Sequence, residues 1–341
     1  MIEREEASAF EYAPCPRCGC EDSCIVVRGV DRLHHIPGEY LAADCLRCHL
    51  WFQSPRPVAS RLASLYPEDY LPHRKPTAVT IKPGAAKFLQ RRLGYEALEP
   101  DTEERKGCDW RQLAVLDWIR SWKMGINLIP AYVVQGKLLE IGCASGGRLL
   151  SLRRLGWQQL YGIELVPAAA ERARAEGFSV ISGQVEDTLS QYPDAEFDVI
   201  ISSMVLEHLY NPFQVVQIAA KKLKPGGQFI FSTVVRDGLD FKIFRDYWSG
   251  FDFPRHMIYF QKSDLHDMLK GHFEKIEIFH QNAPIDFVRP AVSRRDEGKG
   301  TIIDALILKV ARSSLATSIG LLLAWFGLTC RVSLHCQRKY E

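Results

Sequence analysis

The sequence predicts a doubly wound α/β fold carrying a seven-stranded sheet, and three observations predict it. After Gln135, short apolar runs alternate with amphipathic segments, the pattern of strands and crossover helices in a parallel sheet. The first run ends in the small-residue turn Gly142-Cys-Ala-Ser-Gly-Gly147, and an acid, Glu164, ends the second. At 341 residues the chain has room for such a domain and an accessory module.

Taken in chain order, the strands fall at 137–141, 160–164, 179–182, 197–202 and 228–233, with 273–279 and 331–335 completing seven. A helix at 148–155 follows the first turn, Lys224-Pro-Gly-Gly227 feeds the fifth strand, and Ser263 is the predicted N-cap of a helix over 264–269. Upstream, recurring prolines from Pro55 to Pro83 predict an extended connection with one short helix at 58–66. Residues 85–132 have helical spacing, as in Trp110-Arg-Gln-Leu-Ala-Val-Leu-Asp-Trp-Ile119. The expected organisation is a cysteine module at 1–57, a connecting helical segment at 58–134 and the sheet domain at 135–341, with an apolar helical insertion at 302–328.

Hydrophobic residues make up 47% and charged residues 25% of the chain, a globular composition, and the net charge of +2 hides no dense basic stripe. Nucleic acid is therefore not an expected partner. Residues 1–13 hold four acids and no apolar stretch, so a cytoplasmic location is expected and the cysteines are read as reduced thiols or metal ligands. Cys15-Pro-Arg-Cys18 and Cys45-Leu-Arg-Cys48 flank the strand-like Cys24-Ile-Val-Val-Arg28. Two such pairs supply the four thiolates of a tetrahedral structural zinc site. Cys20, Cys24 and His49 are rival ligands by proximity.

The Glu140-Ile-Gly-Cys-Ala-Ser-Gly-Gly147 turn lets backbone approach a ligand closely ahead of a helix N-terminus, and Glu164 can accept ribose hydroxyl protons. Alone, this pair also fits a loose dinucleotide fingerprint and hence a nicotinamide cofactor. Three further features discriminate: the acid-led run Phe197-Asp-Val-Ile-Ile-Ser-Ser-Met-Val-Leu-Glu-His208, the Lys-Pro-Gly-Gly turn, and Gly183-Gln-Val-Glu-Asp187 after the third strand. Over residues 135–280 this ordered set resembles the class I S-adenosylmethionine-dependent methyltransferases, whose fold is Rossmann-like. The resemblance implies that Glu140, Gly142, Cys143, Ala144 and Gly146 surround the methionine portion of S-adenosylmethionine. It places Glu164 on the ribose, Gln184 and Val185 by the adenine, and Ser202 near the methionine end. Gln184 stands where many relatives carry an acid.

Ser54-Pro-Arg-Pro57 and Leu65-Tyr-Pro-Glu-Asp-Tyr70 extend the likeness to the branch of these methyltransferases that carries an N-terminal zinc ribbon. That branch also has a segment similar to Tyr247-Trp-Ser-Gly-Phe-Asp-Phe-Pro-Arg-His256. A hydroxyl acceptor must lose its proton as it attacks, a task suited to histidine. His256 is the candidate general base, with Arg255, Trp248 and Tyr247 shaping the acceptor pocket. Glu207 and His208 form a second pair, which is also read as fixing the helix after the fourth strand. The branch implies a saccharide or lipid-linked saccharide hydroxyl as acceptor; carbon methylation of a nucleotide-linked keto sugar is the alternative, and a noncatalytic ribbon-containing binding protein the rival of another class.

Eighteen uncharged residues separate Arg312 from Arg331, at the lower limit for a membrane span. A full crossing would remove 331–335 from the sheet. Peripheral contact with the cytoplasmic membrane face, aided by Arg312, Arg331, Arg338 and Lys339, is the expectation, against burial in the fold or in an oligomer.

Overall fold

The computed structural model describes residues 9–67, 70–74, 76–77, 89–90, 93–95, 128–313 and 315–340. The helix expected around 110–119 lies outside the described residues.

The N-terminal module holds β1 (Phe10–Glu11), β2 (Ser23–Gly29), β3 (Tyr40–Cys45), β4 (Trp51–Gln53) and β5 (Arg56–Pro57). β2, β3 and β4 form an antiparallel sheet, and β1 pairs with β5. Instead of one helix over 58–66, two single 3-10 turns occupy Ala59–Arg61 and Ala63–Leu65. Tyr66 is extended because Pro67 follows it, which disfavours the helical conformation.

The large sheet begins with β6 (Lys137–Ile141), α1 (Gly147–Arg154), β7 (Gln159–Glu164), α2 (Pro167–Ala175) and β8 (Ser179–Ser182). It continues through α3 (Val185–Thr188), β9 (Phe197–Ser203), α4 (Pro212–Lys222) and β10 (Leu223–Val234). β10 starts earlier than expected because Leu223 already pairs with Phe197 before the Lys-Pro-Gly-Gly turn shifts the register. Then come α5 (Leu239–Phe244), β11 (Ile258–Tyr259), α6 (Lys262–Leu269), β12 (Phe273–His280), α7 (Ile285–Asp296), α8 (Ile302–Ala311), α9 (Ala316–Trp325) and β13 (Arg331–Arg338). Gln261, not Ser263, caps α6: its side chain and that of Asp264 form a reciprocal capping box, which leaves Ser263 inside the first turn.

The order across the sheet is β12-β13-β10-β9-β6-β7-β8. The seven expected strands are all present, but the sheet is mixed rather than parallel, because β13 runs antiparallel to both β10 and β12. The cause is topological. β12 ends and β13 begins at one edge, His280 opposite Val332, so the intervening chain returns where it left and β13 must enter reversed. β6, β7, β9 and β10 are buried runs such as Val199-Ile-Ile201, sandwiched by α1 and α2 on one face and α4 and α6 on the other.

The N-terminal module is not separable at residue 57. β11 pairs with β4, Ile258 opposite Phe52 and Tyr259 opposite Trp51, and so supplies the fourth strand of the N-terminal sheet. Cys15, Cys45, Leu50 and Phe52 pack in one core with Ile258, Phe260 and Leu265.

Candidate functional site

A cavity of about 1350 Å³ runs along the carboxyl ends of β6, β7, β9 and β10, where ligands bind in open α/β sheets. Gly142 takes a left-handed conformation at φ +72° as the chain leaves β6, and a Cβ there would collide with Val205. Only glycine fits that turn. The amides of Gly142 and Cys143 both donate to the Ile163 carbonyl, which ties the turn to β7.

Glu140 is buried, accepts from Arg148 Nε at 2.8 Å through Oε1, and holds Oε2 without a hydrogen-bond partner. Burial pushes its carboxyl up to about 7 against the pull of Arg148. An unpaired buried carboxylate oxygen beside the turn fits a cationic amino group. Glu164 accepts from the Ala144 amide at 2.8 Å and the Val166 amide at 2.9 Å, and burial raises its pKa. Cys143, Ala144, Gln184 and Val185 also line the cavity. Gln184 stands at the N-cap position of α3.

Two of the expected cofactor residues, Gly146 and Ser202, do not line the cavity, whereas their neighbours do. Gly146 packs against Phe178 and Ala173 beneath the turn, while Ser145 and Gly147 line the cavity. Ser202 is fully buried, whereas Ser203 lines the cavity and shares a hydrogen bond with Ser232 at 3.2 Å. Alternation along β9 sends the two serines to opposite faces.

His256 and His208 line the same cavity, their rings edge to face with centroids 4.5 Å apart. The His256 Nδ1 lies 2.8 Å from the Gly250 carbonyl and the His208 Nδ1 3.0 Å from the Arg255 carbonyl. A carbonyl only accepts, so both rings carry a proton on Nδ1, and the His256 Nε2 lies 3.7 Å from an oxygen of the Asp252 carboxylate. Burial, with His256 beside it, lowers His208 to about 3, so that ring is neutral. Glu207 is buried, accepts from Thr233 Oγ1 at 2.8 Å and leaves Oε1 unpartnered. One ligand-type atom from each of Glu207, His208 and His256 lies within 4.8 Å of the others.

Arg255 does not line the cavity. Its guanidinium makes two 2.9 Å bonds to the carboxylate of Asp31 in the N-terminal module and further bonds to Asp252. Both members of the Arg255–Asp31 pair are essentially inaccessible. Although burial works against ionisation, Arg255 and local amides hold Asp31 down at about 2. Tyr247 and Trp248 line a smaller cavity that shares Leu33, Ser249, Asp252 and Arg289 with the large one, and the Trp248 indole donates to Asp240 at 3.1 Å. Sequence reasoning missed Tyr66, Tyr70 and His73 as cavity residues. Tyr66 Oη lies 3.0 Å from His208 Nδ1, and the aromatic-rich Tyr-Pro-Glu-Asp-Tyr segment was the available signal.

Cys15, Cys18, Cys45 and Cys48 bring their sulfurs within 4.8 Å of one another. Cys20 instead faces the Asp22 carbonyl, Cys24 is exposed, and His49 lies on the surface near Asp44. Although burial opposes it, amides of Cys48 and Arg47 lower Cys45 to about 7, a value at which thiolate is available to a cation.

Known proteins bear on this geometry. The family model described as a methyltransferase domain matches residues 95–272, more than half of the chain. The ubiquinone biosynthesis O-methyltransferase of Proteus mirabilis is 32% identical over 107 residues, 30% of this chain and 43% of the relative. That of Shewanella halifaxensis is 30% identical over 117 residues, 33% of this chain and 49% of the relative. The chain thus spans less than half the length of these curated relatives. A crystal structure of an S-adenosylmethionine-dependent methyltransferase from Thermotoga maritima is 19% identical with a TM-score of 0.44, covering 66% of this chain and 89% of the other. Together with the β6 turn, the paired acids Glu140 and Glu164 and the sheet order, the match over 95–272 identifies the chain as a member of the methyltransferase-domain family.

Proposed function

We propose that the chain transfers a methyl group from S-adenosylmethionine to a hydroxyl oxygen of a saccharide, most simply one carried on a lipid. The observation that carries the reading is the placement of His256, anchored through Nδ1 to the Gly250 carbonyl, in the cavity that Glu140 and Glu164 share. The cofactor supplies a methyl group already activated on a sulfonium. The protein's tasks are positioning, exclusion of water and acceptance of the hydroxyl proton. Glu140 would hold the amino group of the methionine portion, Glu164 the ribose, and His256 Nε2 would take the proton. The curated relatives are named as O-methyltransferases, which supports oxygen over carbon; the likeness to ribbon-containing methyltransferases supports the sugar.

The four cysteines would hold a structural zinc ion and organise a module too small to fold on apolar burial alone. Incubating cell extract with methyl-labelled cofactor and identifying the labelled product by mass spectrometry tests the acceptor. His256→Gln should lower turnover about 100-fold or more with cofactor affinity unchanged. A labelled protein or a carbon-methylated product would overturn the acceptor, and unchanged turnover would remove His256 from the chemistry.

A further inference from the structure

Helices α8 and α9 turn many large apolar side chains outward, although Ile307 and Leu308 of α8 pack against the core. In α8 the only fully buried residue is Asp304, 3.6 Å from Arg294, while Ile302, Ile303 and Leu306 are exposed, Ile302 at 90%. In α9 the buried residues are Gly320 and Ala324, Ile319 and Leu322 face outward, and so does Phe326 just after the helix. A soluble surface helix arranges these classes the other way, and a contiguous exposed patch of large aliphatic side chains marks an interaction surface.

The placement of the patch narrows its occupant. The chain from 281 to 330 leaves β12 and returns to β13 at the carboxyl edge of the sheet, the edge along which the cavity lies. α7, which packs on α8, contributes Ile285, Asp286 and Arg289 to the cavity wall. Each of α8 and α9 has ten residues and so is about 15 Å long, half of the roughly 30 Å hydrocarbon core. They meet at 110°, and no single helix among the described residues is long and apolar enough to cross a membrane. Because β13 is in the sheet, the segment can enter a bilayer only as a re-entrant wedge. Charge points the same way. Residues 289–328 carry six basic and three acidic residues, an excess of three, whereas the whole chain has a net charge of +2. Lys309, in α8, and Arg312, just after it, are exposed.

We infer that α8 and α9 dock on an anionic bilayer surface, inserting their aliphatic faces into one leaflet and turning the mouth of the cavity toward lipid-borne acceptors. This deepens the proposed function, resting on it for the acceptor but not for the docking.

Flotation of the full chain with phosphatidylcholine vesicles containing about 30% phosphatidylglycerol tests the docking. The protein should float with these vesicles and several-fold less with phosphatidylcholine alone. Leu306→Glu with Leu322→Glu should cut flotation roughly tenfold or more, while circular dichroism and calorimetry with S-adenosylmethionine stay unchanged. Equal flotation on both compositions would overturn the anionic preference. No flotation would overturn the docking, and a dimer found by light scattering that the double substitution splits would assign the face to a second copy instead. Calorimetry with the methyl donor on the same preparation reports separately on the underlying function, since loss of donor binding with flotation intact removes only that reading.

Discussion

Replacing Arg255 with methionine should unfold the protein more readily without touching the methyl-donor site. The guanidinium is buried between Asp31 and Asp252, bonding the first at 2.9 Å twice and the second at 2.7 Å. Its removal leaves the buried Asp31 carboxylate with only the amides of Leu33, His34 and Ile36, while the partly exposed Asp252 keeps His256 at 3.7 Å, and breaking a buried pair in this one-sided way costs about 3–5 kcal/mol. Asp31→Asn should cost less, because Arg255 keeps Asp252. The double variant should be less destabilised than the sum of the two, since fewer charges are stranded. The assay is urea unfolding at neutral pH followed by tryptophan fluorescence, beside calorimetry with S-adenosylmethionine. A pH series adds a signed check. Asp31 is held at about 2 against an ordinary 3.8, so its contribution is complete above 3.8 and lost as pH falls through about 2. The shift corresponds to about 2 kcal/mol, and this acid-side loss should vanish in Arg255→Met. A methionine variant within about 1 kcal/mol of the parent would refute the argument, and one that lost turnover at unchanged stability would return Arg255 to the chemistry.

Glu140 titrates near neutrality, so cofactor affinity should rise with pH: protonation at low pH removes the charge that faces the cationic ligand, and with a value of about 7 the dissociation constant should weaken about tenfold from pH 8 to pH 6. In the free protein the sign reverses, because a carboxyl raised from 4.5 to about 7 favours folding when protonated, and that contribution fades as pH rises through this window; Glu140→Gln should flatten both trends in calorimetry and in urea midpoints. Purified protein should hold one zinc ion per chain by elemental analysis. Cys45→Ser should release it and, through the strand that β11 lends to the N-terminal sheet, lower thermal stability by about 2 kcal/mol or more; full zinc content in that variant would exclude the four-cysteine site.

The large sheet was legible because its central strands are buried on both faces, and unbroken apolar runs such as Val199-Ile-Ile201 report that burial directly. The turn after β6 was legible for a similar reason, since a steric demand at Gly142 leaves few residue types that fit. What was not legible depends on distant partners. Arg255 reads like a pocket residue next to His256, and nothing local shows that its partner is Asp31, 224 positions away. β11 is two residues long, too short for a periodicity, and exists because β4 offers an edge. Ser202 and Ser203 are indistinguishable in composition; only the phase of the strand decides which one lines the cavity. Ser263 is the commoner cap type, whereas the signal for Gln261 is indirect: Asp264 stands three residues after it, where a reciprocal box needs an acid.

The strand lent by β11 also limits how this chain can be recombined. Transplanting the first 57 residues onto a related catalytic domain would carry β4 without its neighbour and Asp31 without its cation. A workable graft would have to take 252–260 along with it, so that Asp252, Arg255, His256 and β11 travel with the cysteines. The inherited unit is thus discontinuous in sequence, and variation in acceptor preference should track paired changes in these two stretches, not changes in either alone.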